Sequence, residues 1–300
     1  MSSVAVERVE LDQLTCWRIR AAGSELLVAQ QGAQILNYQQ DGQPPLIWLS
    51  PEAAYQRGQS VRGGVPICWP WFGDLRRNPA SVQACFRAGL APSHGLVRGL
   101  DWQLLGIEEE AGAVLARFVY DSQREPLPGW PHATQLQFDI RLAEDLQLCL
   151  QTHNLDQAPL PISQALHTYF AVSDVRQVLV EGLHECRYLD TLQQWRELRQ
   201  GGPLGIAGET DRIYLDTPAR LSIVDPPWRR RIHLDSSGSR SAVLWNPWTD
   251  KARRLSQFAA DAWQDMLCIE TANLLDDIVE LAPDERHQLC LRLSSEQLDS

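Results

Sequence analysis

Lysine is almost missing from this chain. Of its 27 basic residues only Lys251 is a lysine, and the rest are arginine. Acidic residues outnumber them at 38, giving a net charge of −11, which argues against nucleic acid and anionic membrane surfaces as main partners. An anionic ligand would need a local arginine pocket set against that acidic background. No run approaches the roughly 18 apolar residues of a transmembrane helix. The N-terminus, MSSVAVERVELDQLTCW, has acidic residues where a secretory signal needs its basic and apolar regions. The seven cysteines are odd in number, scattered and without a CxxC, so neither a zinc spacing nor a disulfide framework is expected. Cys149, Cys268 and Cys290 lie in strand-like runs and read as small buried hydrophobes. Reduced thiols fit a cytoplasmic address.

Long helical patterns are missing too. PEAAYQRG (51–58) and TDKARRLSQF (249–258) are the helix candidates, the second capped by Thr249 or Asp250. What the chain does have is period two. From Gln135 to Leu142 every even position is apolar; Ala143-Glu144-Asp145 turns, and Leu146, Leu148 and Leu150 resume the alternation as a β-hairpin. Further strands are expected at 113–121, 212–216, 219–225, 230–235, 241–246, 265–271 and 287–293. Many short strands without a βαβ rhythm predict an all-β, antiparallel sandwich with a few short helices. With no linker or repeat in its 300 residues, the chain reads as a single domain ending in a fraying polar tail, SSEQLDS.

Four segments hold more polar chemistry than a β-scaffold needs. RGGVPICWPWFGD (62–74) sets three glycines, two prolines and three aromatics behind Arg62. SHGLVRG (93–99) flanks a turn glycine with His94 and Arg98. QALHTYF (164–170) places His167 within an apolar strand, and CIETAN (268–273) puts Glu270 directly after DMLCI. Each has an ordinary structural explanation: a satisfied core histidine, a strand-end glutamate, surface arginines, packed tryptophans. Together they describe an acid, a base, an anion grip and an aromatic platform, the parts of a site for a phosphorylated sugar. Trp69, Trp71 and Phe72 divide between core and platform, with Trp71 taken as the sugar contact.

RGGVPICWPWFG, SHGLVRG, LHTYF, WNPWTDKA and IETAN resemble, in order and spacing, the glucose-6-phosphate 1-epimerase family, or hexose-6-phosphate mutarotases, of the aldose 1-epimerase superfamily. The resemblance runs from about residue 25 to about residue 293. It implies a galactose-mutarotase-like β-supersandwich, no metal or other cofactor, and interconversion of the α and β anomers of hexose 6-phosphates. A monomer is expected. Position by position it makes His167 the general acid and Glu270 the general base, with Arg62, His94 and Arg98 as substrate and phosphate contacts. The sugar-contacting aspartate is Asp211 in preference to Asp190. Lys251 either faces the phosphate or caps the outer face of the short helix. Rival readings are an epimerase of free aldoses, a sugar-phosphate-binding protein without turnover, and a glycosidase pairing Glu270 with a second carboxylate.

Overall fold

The computed structural model describes residues 4–110 and 112–298. Among these residues period-two patterning becomes three antiparallel sheets of four, eight and nine strands and a small two-stranded one. In the nine-stranded sheet the hairpin Thr134–Leu142 and Leu146–Asn154 pairs in the expected register, Leu142 opposite Leu146. Its even-numbered apolar residues are buried, because a pleat sends alternate side chains to opposite faces. Strand Arg286–Gln297 lies on the other side of Leu146–Asn154. It runs through most of the tail expected to fray: Ser294–Gln297 pair with Arg230–His233, while Asp299 and Ser300 lie outside the described residues.

The eight-stranded sheet carries the chemistry. Its central strand, Met266–Asn273, is buried at every position and pairs with Ser241–Asn246 on one side. On the other side it meets two short strands, Gln164–Leu166 and Tyr169–Ala171, separated by His167 and Thr168. LHTYF is therefore an interrupted strand with the histidine in its break. One apolar cluster draws buried residues from Ile19 through to Leu293, with smaller clusters beside it.

Three local expectations are overturned. Residues 51–58 form turns and irregular chain instead of a helix. The second candidate shrinks to one turn, Trp248–Ala252, and is capped by neither Thr249 nor Asp250; Asn246 Oδ1 accepts from the Trp248 N–H at 2.9 Å. Cys149 and Cys290, directly opposite each other in register, are joined as a disulfide and are only half-buried. The alternation explains their exposure: with Leu148 and Leu150 pointing inward, Cys149 must point out. Among the described residues no helix is long and apolar enough to cross a membrane.

Candidate active site

A cavity of about 410 Å³ opens on the eight-stranded sheet, within the range of small-molecule sites. Glu270 and Cys268, two apart on the buried strand, project to the same side of it. His167 reaches them from the strand break, with its backbone N–H held by the Pro66 carbonyl at 3.0 Å. Its Nε2 lies 3.3 Å from Glu270 Oε1. Glu270 is 1% exposed and His167 7%, so the glutamate is no strand-end residue meeting solvent. The other polar atom of each, Glu270 Oε2 and His167 Nδ1, is buried without a hydrogen-bond partner in the protein. Buried polar atoms are seldom left so, and here they border a cavity.

Desolvation works against charge on both groups. It pushes the Glu270 carboxyl well above its ordinary 4.5, helped by the charge of Asp211, and His167 well below 6.5, helped by His94 and Arg98. The Tyr169 ring stacks on His167 at 4.8 Å between centroids and 11° between planes, fixing the imidazole from one side. Cys268 Sγ completes a set of three donor atoms within 4.8 Å of one another, a possible soft-metal trio. Burial raises that thiol well above 9.0, so a metal bound there would have to displace its proton.

His94 stands across the cavity, 5.4 Å from His167 between ring centroids. Its backbone is left-handed, φ +62°, in the turn before Gly95, a conformation histidine tolerates better than most residues. The Gly73 N–H donates to its Nδ1 at 3.4 Å, and the Cys68 sulfur lies at the same distance. An accepting Nδ1 carries no hydrogen, so the neutral ring keeps its proton on Nε2. Burial and the charges of Arg98 and Arg62 push its pKa down to about 3. His94 is thus a fixed neutral donor, unsuited to exchanging protons near neutrality.

Of the other expected contacts, Arg62, Asp211 and Lys251 lie in the cavity wall. Arg62 donates to the Tyr169 hydroxyl and the Ser256 carbonyl, both at 3.4 Å. Asp211 is 3.7 Å from Lys251 Nζ, and Glu209 is 3.3 Å from it. Lys251 is therefore neutralised by two carboxylates, which disfavours its reading as a phosphate contact. Asp190 is turned away, capping the short helical turn after it through the Leu192 N–H at 3.1 Å.

Two expectations move. Trp71 is fully buried, its indole N–H donating to the Pro92 carbonyl at 2.9 Å and its ring edge-on to Phe86. It packs beneath the 75–86 segment, and from its motif Phe72 lines the cavity instead. Arg98 is not among the lining residues; it donates to the Ser93 carbonyl at 2.7 Å. It acts on the pair only through its charge, which is felt at His167 and Glu270. Arg77 and Trp195, singled out by no motif, also line the cavity, as do Tyr169 and Trp245, which sit inside quoted motifs without having been given a part.

A β-supersandwich with a buried imidazole–carboxylate pair in an aromatic, arginine-bearing cavity defines the mutarotase-like class. The comparisons agree. The aldose 1-epimerase family pattern matches residues 15–294, and the chain belongs to that family. It is 31% identical to a candidate glucose-6-phosphate 1-epimerase of Escherichia coli K12 over 271 residues, covering 90% of this chain and 87% of the relative. A candidate of the same description from Cenchrus ciliaris is 30% identical, covering 88% and 79%. Among solved structures, a candidate mutarotase of Salmonella typhimurium, YeaD, superposes with a TM-score of 0.86 at 27% identity, covering 97% of this chain and 94% of that one.

Proposed function

We propose that the protein interconverts the α and β anomers of glucose 6-phosphate and related hexose 6-phosphates, with Glu270 and His167 exchanging the protons. The observation that carries this reading is the buried contact of 3.3 Å between them at the cavity wall. Glu270 takes the proton of the C1 hydroxyl while His167 delivers one to the ring oxygen. The ring opens to the aldehyde, C1–C2 turns, and reclosure on the other face returns both protons. One proton on the pair therefore suffices for the whole cycle. It rests on Glu270 in the open-chain intermediate and on His167 when the ring is closed. Sugar hydroxyls donating to the carboxylate favour the second form. Neither transfer needs a metal or redox cofactor.

The substrate class is supported by Arg62 in the wall and by the names of the relatives. Glucose 6-phosphate should be anomerised with a kcat/KM at least about tenfold above that of free glucose, since a charge-assisted contact is worth about 2 kcal/mol or more. Exchange measured by NMR on both sugars tests this, and equal values would leave an epimerase of free aldoses. Turnover itself separates the enzyme from a binding protein. A single-domain monomer completes the proposal, supported by a site assembled from one chain and by the shared apolar cluster; the cytoplasmic address loses the support of fully reduced thiols, since Cys149 and Cys290 are joined.

The pH dependence follows from the shifts. A second proton joins the pair only below the lowered His167 value, and the shared proton leaves only above the raised Glu270 value. Between them kcat is flat, so no loss should be centred at 6.5, where an ordinary histidine titrates. Saturating substrate separates this from ionisation of the phosphate. A kcat that halves near 6.5 on acidification would show His167 titrating as a solvated imidazole.

A further inference from the structure

A phosphomonoester near neutrality is close to a dianion, and one arginine leaves half of that charge unmatched. The wall holds three cationic side chains, Arg62, Arg77 and Lys251. Lys251 is spent on Glu209 and Asp211, and Arg98 lies outside the wall. Arg77 is different. It is exposed at the end of the short turn Leu75–Arg77 and forms no ion pair among the described residues. Its neighbour Asp74 is gripped by the Arg76 guanidinium through three hydrogen bonds, of 2.6, 3.1 and 3.1 Å. That grip, more than Arg77, holds the Asp74 carboxyl below its ordinary value.

The Arg77 guanidinium lies 5.4 Å from the centre of the Trp195 ring, a second residue of the same wall. A guanidinium over the face of an aromatic ring is held by the ring while its N–H donors remain available, and those match phosphate oxygens in pairs. Trp195 is held there by an unusual turn. Gln194 and Trp195 are both left-handed, at φ +57° and +62°, a conformation that residues of this size seldom adopt.

We propose that Arg77, seated on Trp195, is the second guanidinium of the phosphate subsite. With Arg62 it selects a sugar bearing a phosphomonoester over the neutral sugar. The inference rests on the hexose 6-phosphate reading and adds a residue to it.

The test is the ratio of kcat/KM for glucose 6-phosphate over that for glucose, measured on the full chain. Arg77→Ala should lower this ratio about fivefold to tenfold, chiefly through KM, because a remote phosphate grip binds ground and transition states alike. Arg77→Lys should restore part of it, and Trp195→Ala should lower it while Trp195→Phe retains it. Arg220→Ala, which removes an exposed arginine paired with Asp235 on the nine-stranded sheet, is the charge control and should keep the wild-type ratio. Thermal melting confirms that each variant folds. A wild-type-like ratio in Arg77→Ala, in a protein that does prefer the phosphorylated sugar, overturns the subsite alone. A wild-type protein with no such preference overturns the substrate reading and the subsite with it.

Discussion

Glu270→Gln should lower kcat by about 10²–10⁴-fold, and His167→Asn by a similar factor, because each removes one of the two proton transfers of a single step. The amide keeps the size of the glutamate and part of its hydrogen bonding but accepts no proton. Its fold should persist, since burial holds the native carboxyl well above its ordinary range and a neutral side chain suits that environment. Asparagine at 167 has no proton to give near neutrality. The double variant should lose far less than the product of the two factors, because groups acting as a unit are non-additive. Exchange spectroscopy on a folded, ligand-binding Glu270→Gln protein is the decisive measurement. Near wild-type exchange would remove Glu270 from the chemistry and leave Asp211 as the next base. That carboxyl lies in the same wall, and burial raises its pKa too, with Lys251 opposing the shift. A glycosidase pairing of the two carboxylates would leave unexplained why an imidazole occupies the contact with Glu270.

The sheets were legible in the sequence because a pleat imposes a period of two, and Thr134–Leu142 obeys it over its whole length and Ala113–Asp121 from Val114 onward. The acid–base pair was legible only through motifs. A glutamate in a fully buried strand and a histidine in a strand break break the local pattern, and nothing in that pattern says they meet. Trp71 was misplaced because a tryptophan that buries its ring and finds one carbonyl for its N–H looks the same in sequence as one that faces a sugar. Arg77 and Trp195 escaped notice for a different reason. They are 118 positions apart and belong to no motif, and only the folded chain brings ring and guanidinium together. The disulfide was missed because pairing two cysteines 141 residues apart depends on the register between two strands, which no local spacing encodes.

Gly95→Ala should be the most damaging single methyl addition at the site. Two motifs distant in sequence are stitched together there: the Leu96 N–H donates to the Trp69 carbonyl at 2.7 Å, the His94 N–H to Gly73 at 2.8 Å, and the Trp71 indole to Pro92 at 2.9 Å. A Cβ on Gly95 would fall 2.0 Å from the Trp69 carbonyl oxygen and 2.3 Å from its carbon, and the backbone is left-handed at φ +79°. These atoms are buried backbone and cannot swing aside as a flexible side chain would. Left-handed strain of about 1–2 kcal/mol adds to the loss of a buried backbone hydrogen bond, about 1–3 kcal/mol. Stability should fall by roughly 3 kcal/mol, or roughly 5–10 °C in Tm for a chain of this size. The same shift moves His94 away from Gly73 and Cys68, and a displacement of about 1 Å can cost about 10²-fold in rate. Gly42→Ala supplies the comparison, with a similar φ of +72° but nothing within 4 Å of the added methyl. It should lose only the strain and leave kcat unchanged. If Gly95→Ala melts and turns over like Gly42→Ala, the two motifs are not held in register by this contact, and His94 owes its position to something else.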